Sequence, residues 1–193
     1  MKIFVIFRAC LRTIHTSLAL SLLALSAQAA DAWTELKQPG AIVLFRHATA
    51  PGIGDPADFQ LGVCATQRNL DDQGRTEARR LGDQFRNRNI EVGSVLSSQW
   101  CRTRETARLA FGDVARDEPA FNSSFLAPGD VSAVQTAQAR ALLSKWRGPG
   151  TLVVVTHQVN ISALTGVYTS SADGVVVRPD ASGSLRVVGK VAP

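Results

Sequence analysis

The stretch Ala41-Ile42-Val43-Leu44-Phe45-Arg46-His47 follows Pro39-Gly40, runs apolar for five residues, and then stops on an arginine and a histidine. A short unbroken apolar run bounded by a breaker reads as a strand buried on both faces. The stretch Thr151-Leu152-Val153-Val154-Val155 repeats the pattern after Gly148-Pro149-Gly150 and reaches His157 two residues later. Strands of this kind belong to parallel sheets covered by helices on both sides. The expected fold is therefore α/β, a single-domain three-layer sandwich with a mainly parallel central sheet flanked by helices.

The sequence between these runs supplies the covering layers. Residues 48–69 are rich in Pro, Gly, Asp and Thr and read as a long loop, the kind that tends to carry function. Asp71 or Asp72 can cap a helix in which Ala78, Leu81 and Phe85 form an apolar stripe, with Arg79, Arg80 and Arg86 off it. Residues 90–97 read as a strand and 99–110 as a helix. Residues 111–129 are turn-rich. Residues 131–146 return to helical period through Val134, Ala137, Ala141, Leu142 and Lys145, and Gly148-Pro149-Gly150 stops them. A short helix is expected over 161–164, and two strands over 175–177 and 185–188. The 193 residues suit one domain, and neither repeat nor linker divides them.

The N-terminal residues have a different pattern. Lys2, Arg8 and Arg12 precede an apolar run from Leu18 to Leu25, followed by the small-x-small pattern Ala27-Gln28-Ala29. This is the pattern of a secretory signal peptide over residues 1–29, with the domain over 30–193. The apolar run is about half of the roughly 20 residues a membrane span needs, so no stable span is expected after cleavage. Losing three basic residues and no acidic one takes the formal charge from +5 to +2. That balance does not suit a nucleic-acid partner. Periplasmic or secreted placement also gives Cys64 and Cys101 an oxidising setting, where two cysteines read as one disulfide, the alternative being two buried thiols. No short ligand spacing suggests a metal site, and no cofactor is expected.

In a parallel sheet the ligand crevice lies beyond the carboxyl ends of the strands. His47, Arg46 and His157 all fall there, and Arg102 follows the second strand by a few residues. A guanidinium fork matches phosphate oxygens and stays charged, while a neutral imidazole can attack phosphorus. The pattern points to an anion site containing a nucleophile.

These residues resemble a known family. Arg46-His47-Ala48 resembles the Arg-His-Gly signature of the histidine phosphatase superfamily, the phosphoglycerate mutase-like proteins. Residues Asn69 to Ala78 are similar to its Leu-Thr-x-x-Gly-x-x-Gln-Ala helix start, and Ser97 to Ala107 to its Ser-Ser-x-x-x-Arg-Ala-x-Gln-Thr-Ala block. Val155-Thr156-His157 resembles the block with its second histidine. The resemblance implies that His47 becomes phosphorylated and that Arg46, Arg102 and His157 complete the phosphate pocket. It adds Arg68 as a substrate contact. Gln158 and Asn160 are candidates for the pocket rim, or else for capping the next helix. A bond between Cys64 and Cys101, in loops flanking the site, would brace it.

Two departures matter. Ala48 replaces a glycine, which is tolerated where φ is negative. The general acid has no clear counterpart; Asp55 and Asp58 are the candidates, with Glu118 behind them. The chain looks like the short exported bacterial members, some linked to phosphorylated heptose in lipopolysaccharide core. The expected partner is a phosphorylated small molecule or envelope glycolipid. The competing expectation is a phosphate-binding or envelope-interaction protein that keeps the pocket without turnover.

Overall fold

The two apolar runs become the central pair of strands in a six-stranded sheet. The computed structural model describes residues 32–193, so the leader expected over residues 1–29 lies outside the described residues. In chain order the elements are α1 (Ala32–Glu35), β1 (Ile42–Arg46), α2 (Asp72–Asn87), β2 (Val92–Ser97), α3 (Cys101–Phe111) and β3 (Ala115–Asp117). They continue with α4 (Gly129–Ser144), β4 (Thr151–Thr156), α5 (Gln158–Thr165), β5 (Gly174–Pro179) and β6 (Leu185–Val191). The sheet order is β3-β2-β4-β1-β5-β6. The first four strands in that order run parallel, while β5 and β6 are antiparallel additions at one edge.

Alternation along each central strand builds two cores. Val43 and Phe45 of β1 join Val153 and Val155 of β4 against Leu81 and Phe85 of α2 and Ala107 and Ala110 of α3. Ile42 and Leu44 join Leu152 and Val154 on the opposite face, against Leu143 of α4 and Ile161 and Leu164 of α5. Both faces of the sheet are thus covered, which is why the central strands tolerate no polar alternation. Among the described residues, no helix is long and apolar enough to cross a membrane.

The structure departs from expectation where periodicity is weak. The turn-rich span contains β3, a three-residue strand too short to leave a pattern. Helix α5 starts at Gln158, earlier than Ile161, because His157 already has the extended backbone of a cap. Helix α4 buries Ala139 and Leu143 and leaves Val131 and Val134 exposed, so the stripe read through Val134 does not face the core.

Helix α2 shows how the loop after β1 is held. Asp71 caps it by accepting from the Gly74 N–H at 2.7 Å. Gly74 then packs directly on the backbone of Thr49: a Cβ there would lie 2.0 Å from the Thr49 carbonyl oxygen. One turn on, the Glu77 carboxylate accepts from the Thr49 N–H at 2.9 Å and its hydroxyl at 3.0 Å. Gly74→Ala forces this contact apart and should cost about 1–3 kcal/mol, the usual range for overpacking. Urea unfolding of the variant beside the parent protein checks the figure.

Candidate active site

Arg46 of β1 pairs in register with Thr156 of β4, so the next residue on each strand is a histidine. The His47 N–H donates to the Thr156 carbonyl at 3.0 Å and continues the ladder. On the other side of β4, the Ser98 N–H donates to the Val155 carbonyl at 3.0 Å. Three adjacent parallel strands therefore deliver His47, His157 and Ser98 to one crevice. The two imidazole centroids lie 5.5 Å apart, close to the spacing of neighbouring strands.

Hydrogen bonding assigns the state of both rings. The His47 Nδ1 lies 2.7 Å from the Ala48 carbonyl oxygen, which can only accept. Nδ1 therefore carries the proton and Nε2 keeps its lone pair. Burial lowers the His47 pKa from 6.5 to about 3, despite the Ala48 bond, and the charges of Arg102, Arg46 and Arg68 push the same way. His157 is lowered too, first by burial and then by His47 and the same arginines. Its Nδ1 faces Arg102 Nη2 at 3.5 Å, so its Nε2–H donates to Ser98 Oγ at 2.9 Å. Both histidines are neutral at ordinary pH.

Arg46, Arg68, Arg102, His47, His157, Asp55 and Gln158 line one open cavity of about 610 Å³. Arg46 is anchored by Nη1 on the Thr169 carbonyl at 3.1 Å. Arg68 is anchored by Nε on the Gly54 carbonyl at 2.9 Å and by Nη1 on that of Ala50. The Nε atoms of Arg46 and Arg102 are buried without a partner. Asp55 balances part of this charge. It accepts from Arg102 Nη1 at 2.7 Å and Nη2 at 3.2 Å, from Trp100 Nε1 at 2.9 Å and from the Arg68 N–H at 3.1 Å. Burial pushes the Asp55 carboxyl up, but these donors and the Arg102 charge outweigh it and hold it below its ordinary value.

Several candidates take different places from those expected. Asp55 reaches the cavity as an ionised partner of Arg102, without the proton that a general acid must give. Asp58, on the same loop, is exposed and lies outside the cavity lining. Glu118 spends its carboxylate on the Ala120 N–H at the Pro119–Phe121 turn. Asn160 leaves the rim: it donates to the Asn122 carbonyl at 2.7 Å and accepts from Ser124, holding that loop against α5. Gln158 stays at the wall, with its amide on Ser162 Oγ at 2.9 Å. Ala48 causes no strain, because its φ is not positive.

The residues that sequence reasoning passed over do the bracing. Ser98 orients His157, Trp100 holds Asp55, and Thr106 Oγ1 accepts the Ala48 N–H at 3.1 Å. Gln67 accepts the Cys101 N–H at 2.9 Å. Beside it, the Cys64–Cys101 disulfide ties the 48–69 loop to the first residue of α3, next to Arg102. Closing that 37-residue separation is worth about 4 kcal/mol on the chain-entropy account. Ser98, Trp100 and Thr106 lie inside the 97–107 block, and that position is the one signal that could have marked them.

Residues 42–120 match the family model of the histidine phosphatase superfamily (branch 1). Over these residues the chain is similar to this superfamily. Solved phosphatase structures share its fold. The protein histidine phosphatase SixA, complexed with tungstate, aligns at 20% identity and TM-score 0.54, covering 79% of this chain and 97% of that one. Phosphoserine phosphatase from Entamoeba histolytica, in complex with 3-phosphoglyceric acid, gives 15% and 0.57, with 79% and 97% covered. A mycobacterial glucosyl-3-phosphoglycerate phosphatase complexed with VO3 gives 17% and 0.55, with 79% and 99% covered. At these identities the likeness is one of fold. No curated protein sequence matches.

Both histidines titrate lower in the folded protein than in the unfolded chain, so the stability they permit is full above pH 6.5. It is lost as pH falls below 6.5, in the case of His47 down to about 3, because the unfolded chain takes up protons that the fold refuses. Each such histidine adds about 1.4 kcal/mol per pH unit within that window. His47→Asn should make the decline between pH 6 and 4.5 shallower by about that amount, measured by chemical denaturation across the range.

Proposed function

We propose that the protein is an exported, metal-independent phosphatase that hydrolyses a phosphomonoester through a phosphohistidine on His47. The observation that carries this reading is the unprotonated Nε2 of His47, fixed by the Nδ1–H bond to Ala48, in a cavity lined by three guanidiniums. The Nε2 lone pair attacks phosphorus, the ester P–O bond breaks, and its electron pair leaves on the alcohol oxygen, which takes up a proton. Water then attacks the phosphohistidine, the P–N bond breaks and the pair returns to His47, releasing inorganic phosphate. Arg46, Arg68 and Arg102 offset the charge that builds on the transferring oxygens. Arg46, Arg68 and Arg102, which line the cavity, take the charge role that a metal otherwise fills.

Export rests on the leader pattern of residues 1–29 and on the Cys64–Cys101 bond. An exported enzyme meets phosphomonoesters of the envelope, sugar phosphates and glycolipids among them. Hydrolysis of a generic aryl phosphate tests the activity. It should survive EDTA and fall at least about a thousandfold in His47→Ala, and His47 should label transiently with the phosphoryl group. Activity removed by EDTA, or kept by the variant, would sink the reading.

A second reading, phosphate binding without turnover, has one observation in its favour: among the described residues, the acid that lines the cavity is Asp55, and it is spent on the guanidinium of Arg102. The two neighbours solved with tungstate and VO3 suggest the probe. Asp55→Asn removes a competing charge from Arg102 and should tighten vanadate binding by about tenfold, an effect readable by calorimetry. The aryl phosphate assay then separates the readings, because a binder shows the tighter anion site and no hydrolysis.

A further inference from the structure

The charged groups of the cavity gather at its floor, where the strands end, and its mouth has another chemistry. Ile53, Pro56, Ala57 and Phe59 come from the loop after β1, and Phe125 and Leu126 from the loop before α4; all six line the cavity. Ile53 is 93% exposed, Leu126 84% and Phe125 53%. Large apolar side chains so exposed on two separate loops, converging on one opening, form a patch that the described residues leave uncovered. Phe59 stacks on Trp100 with centroids 5.1 Å apart and an interplanar angle of 22°. Trp100 in turn holds Asp55 at the floor. The apolar wall is therefore continuous with the anion site, and its aromatic part is rigidly placed.

Hydrogen-bonding groups at the mouth are few. Ser123 and Gln158 also line the cavity, and the Gln158 Nε2 already donates to Ser162 Oγ. A bare sugar carries several hydroxyls that need partners when they leave water, and such a wall would strip their hydration without replacing it. An alkyl or aryl group gains from the same wall.

We propose that this site selects phosphomonoesters whose alcohol presents an apolar group, an aryl ring or alkyl chain, directly beyond the phosphate, with Ile53, Phe59, Phe125 and Leu126 as its specificity-determining residues. The proposal rests on the phosphatase reading and narrows it: among envelope phosphates it favours amphiphilic esters over bare sugar phosphates.

The test is a series of 4-alkylphenyl phosphates from methyl to hexyl. A para-alkyl chain changes apolar size while leaving the acidity of the phenol nearly constant, so leaving-group effects drop out. Each half-buried methylene should raise kcat/KM about twofold, or roughly thirtyfold across the five added methylenes. Ile53→Ser with Leu126→Ser should reduce that ratio to about threefold or less, while Val114→Ser, an exposed apolar site away from this cavity, should leave it unchanged. Hydrolysis with a flat series, or a glucose phosphate hydrolysed better than the hexyl member, overturns the proposal and leaves the phosphatase reading standing. Were no ester hydrolysed, that reading would fall. Binding of matched alkylphosphonates by calorimetry then decides the apolar mouth separately: affinity rising with chain length supports it, and equal affinities overturn it.

Discussion

The parallel register of β1 on β4 is the constraint from which the site follows. Pairing Arg46 with Thr156 makes His47 and His157 leave their strands at one level, and the ladder continues through the His47 N–H to Thr156. A slip of one residue would turn every side chain of β1 to the opposite face. It would also exchange the two halves of the core, since Ile42 and Leu44 pack on one face and Val43 and Phe45 on the other. The hydrophobic patterning that holds the sheet together is thus the same patterning that aligns the imidazoles.

Once the histidines are side by side and buried, electrostatics decides what they can be. Desolvation makes a charged imidazole costly, and three guanidiniums in the same cavity make it costlier still. Both rings stay neutral, and the Ala48 carbonyl selects the tautomer that leaves Nε2 of His47 free. The cations have their own problem of mutual repulsion, which Asp55 relieves on Arg102. An anion in the cavity would relieve it further.

Much of the remaining motif sequence holds this arrangement in place. Gly74 lets α2 touch the Thr49 backbone, and Glu77 grips the same residue. Thr106 takes the Ala48 N–H, and the disulfide joins the long loop to the start of α3. These contacts lie among residues separated by tens of positions in the chain, which is why local pattern shows a capped helix after Asp71 and a helix over 99–110 and not their grip on Ala48 and Thr49.

What the sequence by itself determined is the part governed by local pattern. Unbroken apolar runs at 41–45 and 151–155, a 3.6-residue stripe through Ala78, Leu81 and Phe85, and breakers at Pro39-Gly40 and Gly148-Pro149-Gly150 suffice for the sheet, the helix and the placement of His47 and His157. Periodicity reports which faces are buried, and strand ends report where a crevice must open. Tertiary structure alone decided the rest. Asp55 and Asp58 look alike in sequence, but one is wrapped by Arg102, Trp100 and the Arg68 N–H while the other faces solvent, because a loop has no period from which direction could be read. Asn160 sits two residues from Gln158 yet turns to the 122–124 loop, since successive helix positions point about 100° apart and neighbours in sequence share no face. The apolar mouth formed by Ile53, Phe125 and Leu126 is likewise a matter of distance in space, brought about by two loops that only the folded sheet places side by side.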